Sequence, residues 1–145
     1  MDRFWQKIPL NRMRREQWES LCDGCGRCCL QKLKNATTGK VYYTWVACYL
    51  LDTTTCRCSN YALRHALVAD CVELNPGNIA GLHWMPATCA YRLIAQGKDL
   101  PHWHPLVSGD ARSVHKAGIS VRHQAISEVL VHPDDVENYI IGRRF

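Results

Sequence analysis

Four cysteines crowd into the segment CDGCGRCC, residues 22–29, which constrains the fold more than any other part of the chain. Thiols at this density have three ordinary explanations: disulfide bonds, a redox-active dithiol, or thiolates that hold a metal. The glycines between the cysteines permit positive φ angles, so backbone N–H groups can approach the sulfur atoms in a tight turn. This combination of soft ligands and tightly turning backbone is what metal ligation requires.

Disulfides and a redox dithiol fit the sequence less well than a metal. The N-terminal residues 1–19 contain no apolar leader, which predicts a cytoplasmic protein with reduced thiols, and nine cysteines cannot all pair. Adjacent Cys28 and Cys29 are poor partners for each other, since neighbouring Cα atoms are only about 3.8 Å apart. A thioredoxin-type dithiol is expected to open a helix after a strand in a domain that is otherwise poor in cysteine. Metal ligation is therefore the preferred interpretation.

The composition predicts one globular domain, residues 1–145, with apolar residues at 47% and charged residues at 21%. The longest apolar run, WVACYLL at 45–51, is far shorter than the roughly 18 residues of a membrane span. The net charge of +5 is dispersed and accompanies no recognisable nucleic-acid-binding module. Neither a membrane nor a nucleic acid is an expected partner.

Hydrophobic spacing and turn residues predict a small α+β domain, mostly helical with short strands, organised around a cysteine-ligated metal centre. The strand KVYYTWVACY, residues 40–49, is rich in β-branched and aromatic side chains. Thr88 is the predicted N-cap of one helix and Gly97 its end. The predicted helices span residues 10–21, 28–34, 61–68, 86–97 and 132–142.

The spacing of the cysteines leaves the metal open. Cys22, Cys25 and Cys28 follow the C-x2-C-x2-C spacing of a bacterial ferredoxin, whereas the adjacent Cys29 departs from it. Structural zinc takes four cysteines, or three and a histidine, usually as two separated pairs. A second pair could come from Cys56 and Cys58 or from a combination of Cys48, Cys71 and Cys89. If Cys28 and Cys29 both bind, a multinuclear cluster or two neighbouring sites is favoured, because successive side chains diverge.

Nearby cations would offset the charge of several thiolates, and Arg27, Lys32 and Lys34 follow the motif directly. Each separated cysteine could instead pack as a small hydrophobic side chain. His102 and His104, in LPHWHPL, could supply one nitrogen ligand or bind a substrate, or their rings could simply pack in the loop. No catalytic motif is recognisable, so the sequence assigns no reaction.

Several segments in order carry a family resemblance: CDGCGRCC, VACYLLD, CRCSNY, PATCAYRL, GKDLPHWHPLVSGD and ISVRH. With them the chain resembles the YcgN-like members of the CxxCxxCC cysteine-cluster family of bacteria, from about residue 4 to residue 130. The resemblance implies a zinc- or iron-chelating protein, often described as containing an iron–sulfur cluster, with no established reaction. One departure is Arg64-His65, where the broader pattern has Arg-Pro.

The family pattern implies eight ligand cysteines and leaves Cys56 outside the set. They are Cys22, Cys25, Cys28, Cys29, Cys48, Cys58, Cys71 and Cys89. The first hypothesis is a cytoplasmic protein whose iron–sulfur cluster or zinc serves redox chemistry, sensing or metal handling. The alternative is a structural zinc module whose surface, such as the loop LPHWHPLVSGD, binds a protein partner. A third hypothesis is an enzyme that uses His102 or His104 beside the metal.

Overall fold

Short helices and strands joined by turns build the chain in the computed structural model, which describes residues 3–143 and 145. The α-helices are α1 (Arg15–Ser20), α2 (Arg64–Leu67), α3 (Ala90–Ala95), α4 (Pro105–Ser108) and α5 (Ser113–Lys116). The strands are β1 (Leu30–Lys34), β2 (Val41–Ala47), β3 (Leu51–Asp52), β4 (Arg57–Cys58) and β5 (Ile126–Ser127). Short 3-10 helices cover Phe4–Gln6, Leu10–Arg12, Arg27–Cys29, Ile79–Gly81, Glu128–Leu130 and Pro133–Tyr139. The predicted mixed α+β class is confirmed.

The chain divides into two compact units. The helical unit comprises Met1–Asp23 and Glu73–Ala117, and the sheet unit comprises Gly24–Val72 and Gly118–Phe145. Every strand given above belongs to the sheet unit. A single domain over residues 1–145 stays a prediction. Among the described residues, no helix has the length and apolar character needed to cross a bilayer.

The helical unit has its own apolar core, which includes Trp5, Leu21, Met85 and Tyr91. The Tyr91 ring packs against the Trp18 ring with centroids 4.7 Å apart. Its hydroxyl donates a hydrogen bond of 2.7 Å to the Trp18 carbonyl, so the polar end of this buried tyrosine is satisfied. Burying a large apolar side chain stabilises a fold by roughly 1.5–3 kcal/mol, so these residues hold the unit together.

Helix α3 is shorter than the predicted helix over 86–97, and the predicted N-cap is wrong. Cys89, with extended φ and ψ of −61° and 126°, is the N-cap, and its N–H donates to the Pro86 carbonyl in a preceding turn. Thr88 lies inside that turn, one residue before the N-cap, and therefore does not open the helix. At the other end Gly97 has a φ of +74°, as expected of the residue that stops a helix.

The sheet unit contains a three-stranded sheet in the order β1-β2-β5 and a hairpin of β3 and β4. Strands β1 and β2 are antiparallel, and β5 runs parallel to β2. The predicted strand over 40–49 is confirmed by β2. The hydrophobic core of the sheet unit includes Leu30, Tyr43, Ala47 and Val121, all less than one tenth exposed.

Two helix predictions fail where tertiary pairing or local turns prevail. Residues 30–34 form strand β1, because their backbone pairs with β2, although LQKLK is a helix-favouring composition. The predicted helix over 10–21 is broken, since Met13 and Arg14 are extended between a 3-10 turn and α1. The final predicted helix is present as the 3-10 helix Pro133–Tyr139, with Pro133 and two acids in its first turn as expected.

Candidate metal centre

The vicinal cysteines lie on the 3-10 turn Arg27–Cys29, which Gly26 makes possible. Gly26 has a φ of +74°, and a Cβ there would stand 2.9 Å from Cγ2 of Val121. Its carbonyl accepts the Cys29 N–H at 3.1 Å. A larger residue at position 26 would meet both backbone strain and a steric clash, so this glycine fixes where Cys28 and Cys29 emerge.

Cys48 lies opposite Cys29 at the end of the β1–β2 ladder. Leu30 pairs with Ala47, and one step further the Cys48 N–H donates to the Cys29 carbonyl at 2.9 Å. Facing residues of an antiparallel pair have Cβ atoms roughly 4.5–5.5 Å apart. Strand pairing therefore brings together two cysteines that are distant in sequence.

The backbone N–H groups of Leu50 and Leu51 lie close enough to the Cys48 sulfur to favour its thiolate, and the Leu51 N–H donates to the Cys48 carbonyl at 2.9 Å. Burial raises the pKa of the Cys48 thiol, and these two donors act in the opposite direction by favouring the thiolate. Leu51 also pairs with Cys58 in the β3–β4 hairpin. The turn after Cys48 thus supplies donors to one sulfur and positions the next cysteine.

Cys71 lies at the end of the segment that follows α2. Burial raises the pKa of its thiol, Arg64 lowers it, and the charges on Cys48, Cys58 and Cys28 raise it further. The Cys71 carbonyl lies 3.0 Å from Nδ1 of His65. Cys71 is therefore electrostatically coupled to the cysteines of the turn and of the hairpin.

Cys29 is coupled to the same group. A hydrogen bond with Cys28, burial, and the charges on Cys28, Cys48 and Cys58 together raise the pKa of the Cys29 thiol well above its ordinary value. The cysteines linked in this way all belong to the sheet unit, and we call them the five-thiol cluster: Cys28, Cys29, Cys48, Cys58 and Cys71. None of the nine cysteines, all of which lie within the described residues, forms a disulfide.

The chemistry of the five-thiol cluster fits a soft metal. Thiolates are the preferred ligands of zinc and of iron–sulfur clusters, and N–H donors to sulfur accompany both. Within residues 3–143 and 145, no group of three or more His, Cys, Asp or Glu side chains is arranged around one point as a bound ion requires. The metal centre itself therefore stays a prediction, and what the fold provides is the proximity of the donors.

The remaining family cysteines have other surroundings. Cys22 is exposed and Cys89 packs against the core, both in the helical unit. Cys25 is buried in the sheet unit, where its sulfur accepts the Arg27 N–H at 3.5 Å and its carbonyl accepts the Val121 N–H at 2.9 Å. An N–H donated to sulfur two residues back is typical of a cysteine knuckle. Ligation by these three cysteines is an untested part of the prediction.

Cys56 has a structural environment. It is buried in the core of the sheet unit at a φ of +61°, which is uncommon for a residue other than glycine. Burial raises the pKa of its thiol, whereas hydrogen bonds from the Ser120 side chain and the Val121 N–H lower it. These contacts hold the hairpin turn between Asp52 and Arg57 in place.

Replacing Cys56 by Ala is expected to lower the free energy of unfolding by about 1–2 kcal/mol, because a buried sulfur and its hydrogen bonds are lost. Bound metal per chain is expected to stay unchanged. Denaturant unfolding of the metal-free protein and elemental analysis of the loaded protein measure the two effects. Loss of metal with unchanged stability would instead make Cys56 a ligand.

The two candidate histidines differ sharply. His104 is fully buried, its Nε2 donates to the Leu21 carbonyl at 2.7 Å, and its Nδ1 accepts the Leu106 N–H at 3.0 Å. Burial lowers the pKa of His104, which keeps the ring neutral, and both nitrogens are occupied by backbone groups. His102 is exposed and stands edge-on to Trp103. The geometry gives His104 the role of fixing the backbone at Leu21.

The N–H groups of Leu50 and Leu51 beside the Cys48 sulfur were not predicted from the sequence. The sequence did contain a signal for them. A tight turn directly after a cysteine directs the backbone N–H groups two and three residues later toward its sulfur. In CYLL that pattern contains one cysteine rather than two, so it does not stand out as a metal knuckle.

Comparison of the sequence with known proteins identifies the family of the chain. Residues 21–90 match the family model CxxCxxCC, described as "Putative zinc- or iron-chelating domain". A UPF0260 protein of Azotobacter vinelandii is 53% identical over 140 residues, covering 97% of this chain and 94% of its own length. The chain belongs to the UPF0260 family. The predicted resemblance to the CxxCxxCC family is thereby confirmed.

Further relatives agree. A UPF0260 protein of Granulibacter bethesdensis is 54% identical over 139 residues, which cover 96% of this chain and 82% of the relative. One from Pseudomonas aeruginosa is 52% identical over 140 residues, with 97% and 94% covered. No solved structure matches the chain significantly.

Proposed function

We propose that this UPF0260 protein binds a metal centre through the five-thiol cluster, and that this centre is an iron–sulfur cluster with a redox or sensing role. The observation that carries the proposal is the backbone pairing that sets Cys48 opposite Cys29 and Cys58 opposite Leu51, which brings together cysteines that are distant in sequence. The family description supports iron or zinc and does not choose between them.

The placement of the thiols favours an iron–sulfur cluster over one zinc ion. A structural zinc ion and the common iron–sulfur clusters each take four ligands, and the five-thiol cluster includes the vicinal pair Cys28 and Cys29. Successive side chains diverge, so a vicinal pair suits a centre with more than one metal atom better than a single small ion. An iron–sulfur cluster would supply one-electron redox chemistry here.

The residues of the sheet unit would control this chemistry. The N–H groups of Leu50 and Leu51 lie close to the Cys48 sulfur, which favours its charged form. Cys28 is exposed and Cys29 is half-buried, so one edge of the centre would face the surface while Leu30 and Ala47 exclude water from the opposite side. A reducing compartment such as the cytoplasm would keep all nine thiols free, and that location is part of the proposal.

A structural zinc module that binds a protein partner is the second candidate. Among the described residues, the exposed large apolar side chains of the chain are found in the sheet unit, and five of them lie between Cys48 and Glu73. These five are Tyr49, Tyr61, Leu63, Leu67 and Val72. Exposed apolar side chains near one another favour contact with another protein.

Anaerobic purification followed by analysis of iron, zinc and acid-labile sulfide, with a visible spectrum of the same sample, tests the proposal. Iron and sulfide with a broad absorbance band near roughly 400 nm support it. Stoichiometric zinc with no visible absorbance would replace it by the zinc module. Neither metal in the folded protein would contradict both candidates.

Zinc binding to the metal-free protein is expected to tighten as the pH rises. The pKa values of Cys29, Cys48 and Cys71 are raised, so these thiols are protonated at neutral pH and must each release a proton to bind. For each proton released on binding, the zinc affinity rises by a further factor of about ten per pH unit. Competition with a chelator between about pH 6 and pH 8 measures the slope. Affinity that does not change with pH would exclude thiolate ligation.

A further inference from the structure

Lys32, three residues beyond the vicinal cysteines, folds its side chain back along β1 toward the turn that carries them. Its ammonium Nζ donates hydrogen bonds to the Cys28 carbonyl at 2.9 Å and to the Leu30 carbonyl at 2.6 Å. Two short hydrogen bonds to backbone oxygens hold a flexible four-carbon side chain in one place.

The aromatic ring of Tyr43 provides a third contact to the same ammonium. Lys32 and Tyr43 are paired residues of the β1–β2 ladder, and Nζ lies 4.9 Å from the ring centroid. A cation at this distance from an aromatic face is attracted by it. The ladder register shifts between Leu30 and Lys32, so the irregularity in β1 lies within the stretch over which the side chain folds back.

The charge of Lys32 is coupled to the vicinal cysteines. Burial lowers the pKa of Lys32, and the thiolate forms of Cys28 and Cys29, once deprotonated, raise it. Several thiolates around a metal leave a net negative site, which a fixed cation stabilises. Lys34, at the end of the same strand, is exposed.

We propose that Lys32 is a positioning residue of the metal centre: its ammonium fixes the turn at Cys28 and compensates the charge of the thiolates. This inference rests on the proposed metal binding by the five-thiol cluster. It assigns to Lys32 an effect on metal affinity and, for an iron–sulfur cluster, on the midpoint potential. A cation beside the centre stabilises the reduced, more negative form, so its removal makes reduction harder.

A matched pair of lysines makes the test specific. Lys40 also places its Nζ over a tyrosine of β2, 5.0 Å from the Tyr42 centroid, and it is exposed at the far end of that strand. Lys32→Met and Lys32→Gln remove the charge, Lys32→Arg retains it, and Lys40→Met removes an equivalent cation–π contact. The full-length chain is used for every variant.

Zinc affinity by chelator competition is measured first, together with the unfolding free energy of each metal-free variant. We expect both neutral Lys32 variants to bind zinc about tenfold more weakly, and Lys32→Arg and Lys40→Met to stay within about threefold of the parent. If the purified protein contains an iron–sulfur cluster, we expect the neutral Lys32 variants to lower the ratio of reduced to oxidised cluster about tenfold, which is a midpoint potential about 59 mV more negative for a one-electron couple.

The outcomes separate this inference from the function on which it rests. A parent chain that binds neither zinc nor iron overturns both. A parent that binds metal, with Lys32→Met and Lys32→Gln equal to it in affinity and potential, overturns the role of Lys32 alone. A loss of affinity that Lys32→Arg fails to restore, accompanied by an equal loss of metal-free stability, would reduce Lys32 to a structural residue and also overturn the inference.

Discussion

Replacing Cys29 by Ser is expected to weaken metal binding by at least about 100-fold and to abolish the stabilisation that bound metal gives. Cys29 is linked by hydrogen bonding or charge to Cys28, Cys48 and Cys58. A ligand present at 100 times its dissociation constant stabilises the folded state by about 2.7 kcal/mol, and most of this would be lost. Thermal unfolding with and without added metal measures the effect.

Cys56→Ser is the matched control, because Cys56 is a thiol of the same unit with a separate set of neighbours, including Ser120 and Val121. It is expected to retain metal-induced stabilisation even if its overall stability falls. Equal loss of metal binding in Cys29→Ser and Cys56→Ser would argue for a general folding defect. Full binding by Cys29→Ser would remove Cys29 from the centre.

Replacing His104 by Ala is expected to lower the free energy of unfolding by about 3 kcal/mol. The substitution leaves a cavity at a fully buried position and removes the hydrogen-bond partners of the Leu21 carbonyl and the Leu106 N–H. Denaturant unfolding of the metal-free protein gives the free-energy difference.

His102→Ala serves as the control for the same loop, since His102 is exposed and its ring contacts only the edge of Trp103 among the contacts described above. The substitution is expected to lower the free energy of unfolding by less than about 1 kcal/mol. A normal stability of His104→Ala with loss of bound metal would contradict the structural role and make His104 a ligand.

Local sequence patterns correctly predicted the elements whose intrinsic preference matches the structure that they adopt in the fold. The alternation and aromatic content of KVYYTWV are typical of a strand, and β2 forms there. Strand β1 was not predictable in this way, since LQKLK has helix-favouring residues and becomes extended only because β2 offers it a partner. Long-range pairing of this kind leaves no local signal.

The candidate site shows the same division. The motif and the family resemblance predicted which cysteines to consider, and they left Cys56 apart from the rest. The grouping of Cys28 and Cys29 with Cys48 depends on strand register, and that of Cys58 depends on the β3–β4 hairpin. These contacts are properties of the folded backbone rather than of cysteine spacing.

The role of Lys32 could be anticipated only as a nearby cation. Its position in sequence predicts charge compensation, but not that its ammonium bonds the Cys28 carbonyl or rests against Tyr43. Those contacts depend on β1 being a strand, and the predicted helix over 28–34 would have directed the side chain elsewhere.

The most direct test of the account is the alkylation of individual cysteines in the folded protein, with and without bound metal, followed by peptide mass analysis. We expect bound metal to protect Cys28, Cys29, Cys48, Cys58 and Cys71 together, while the slow alkylation of buried Cys56 is the same in both states. Protection of Cys56, with the five-thiol cluster equally reactive in both states, would contradict the assignment of the metal centre.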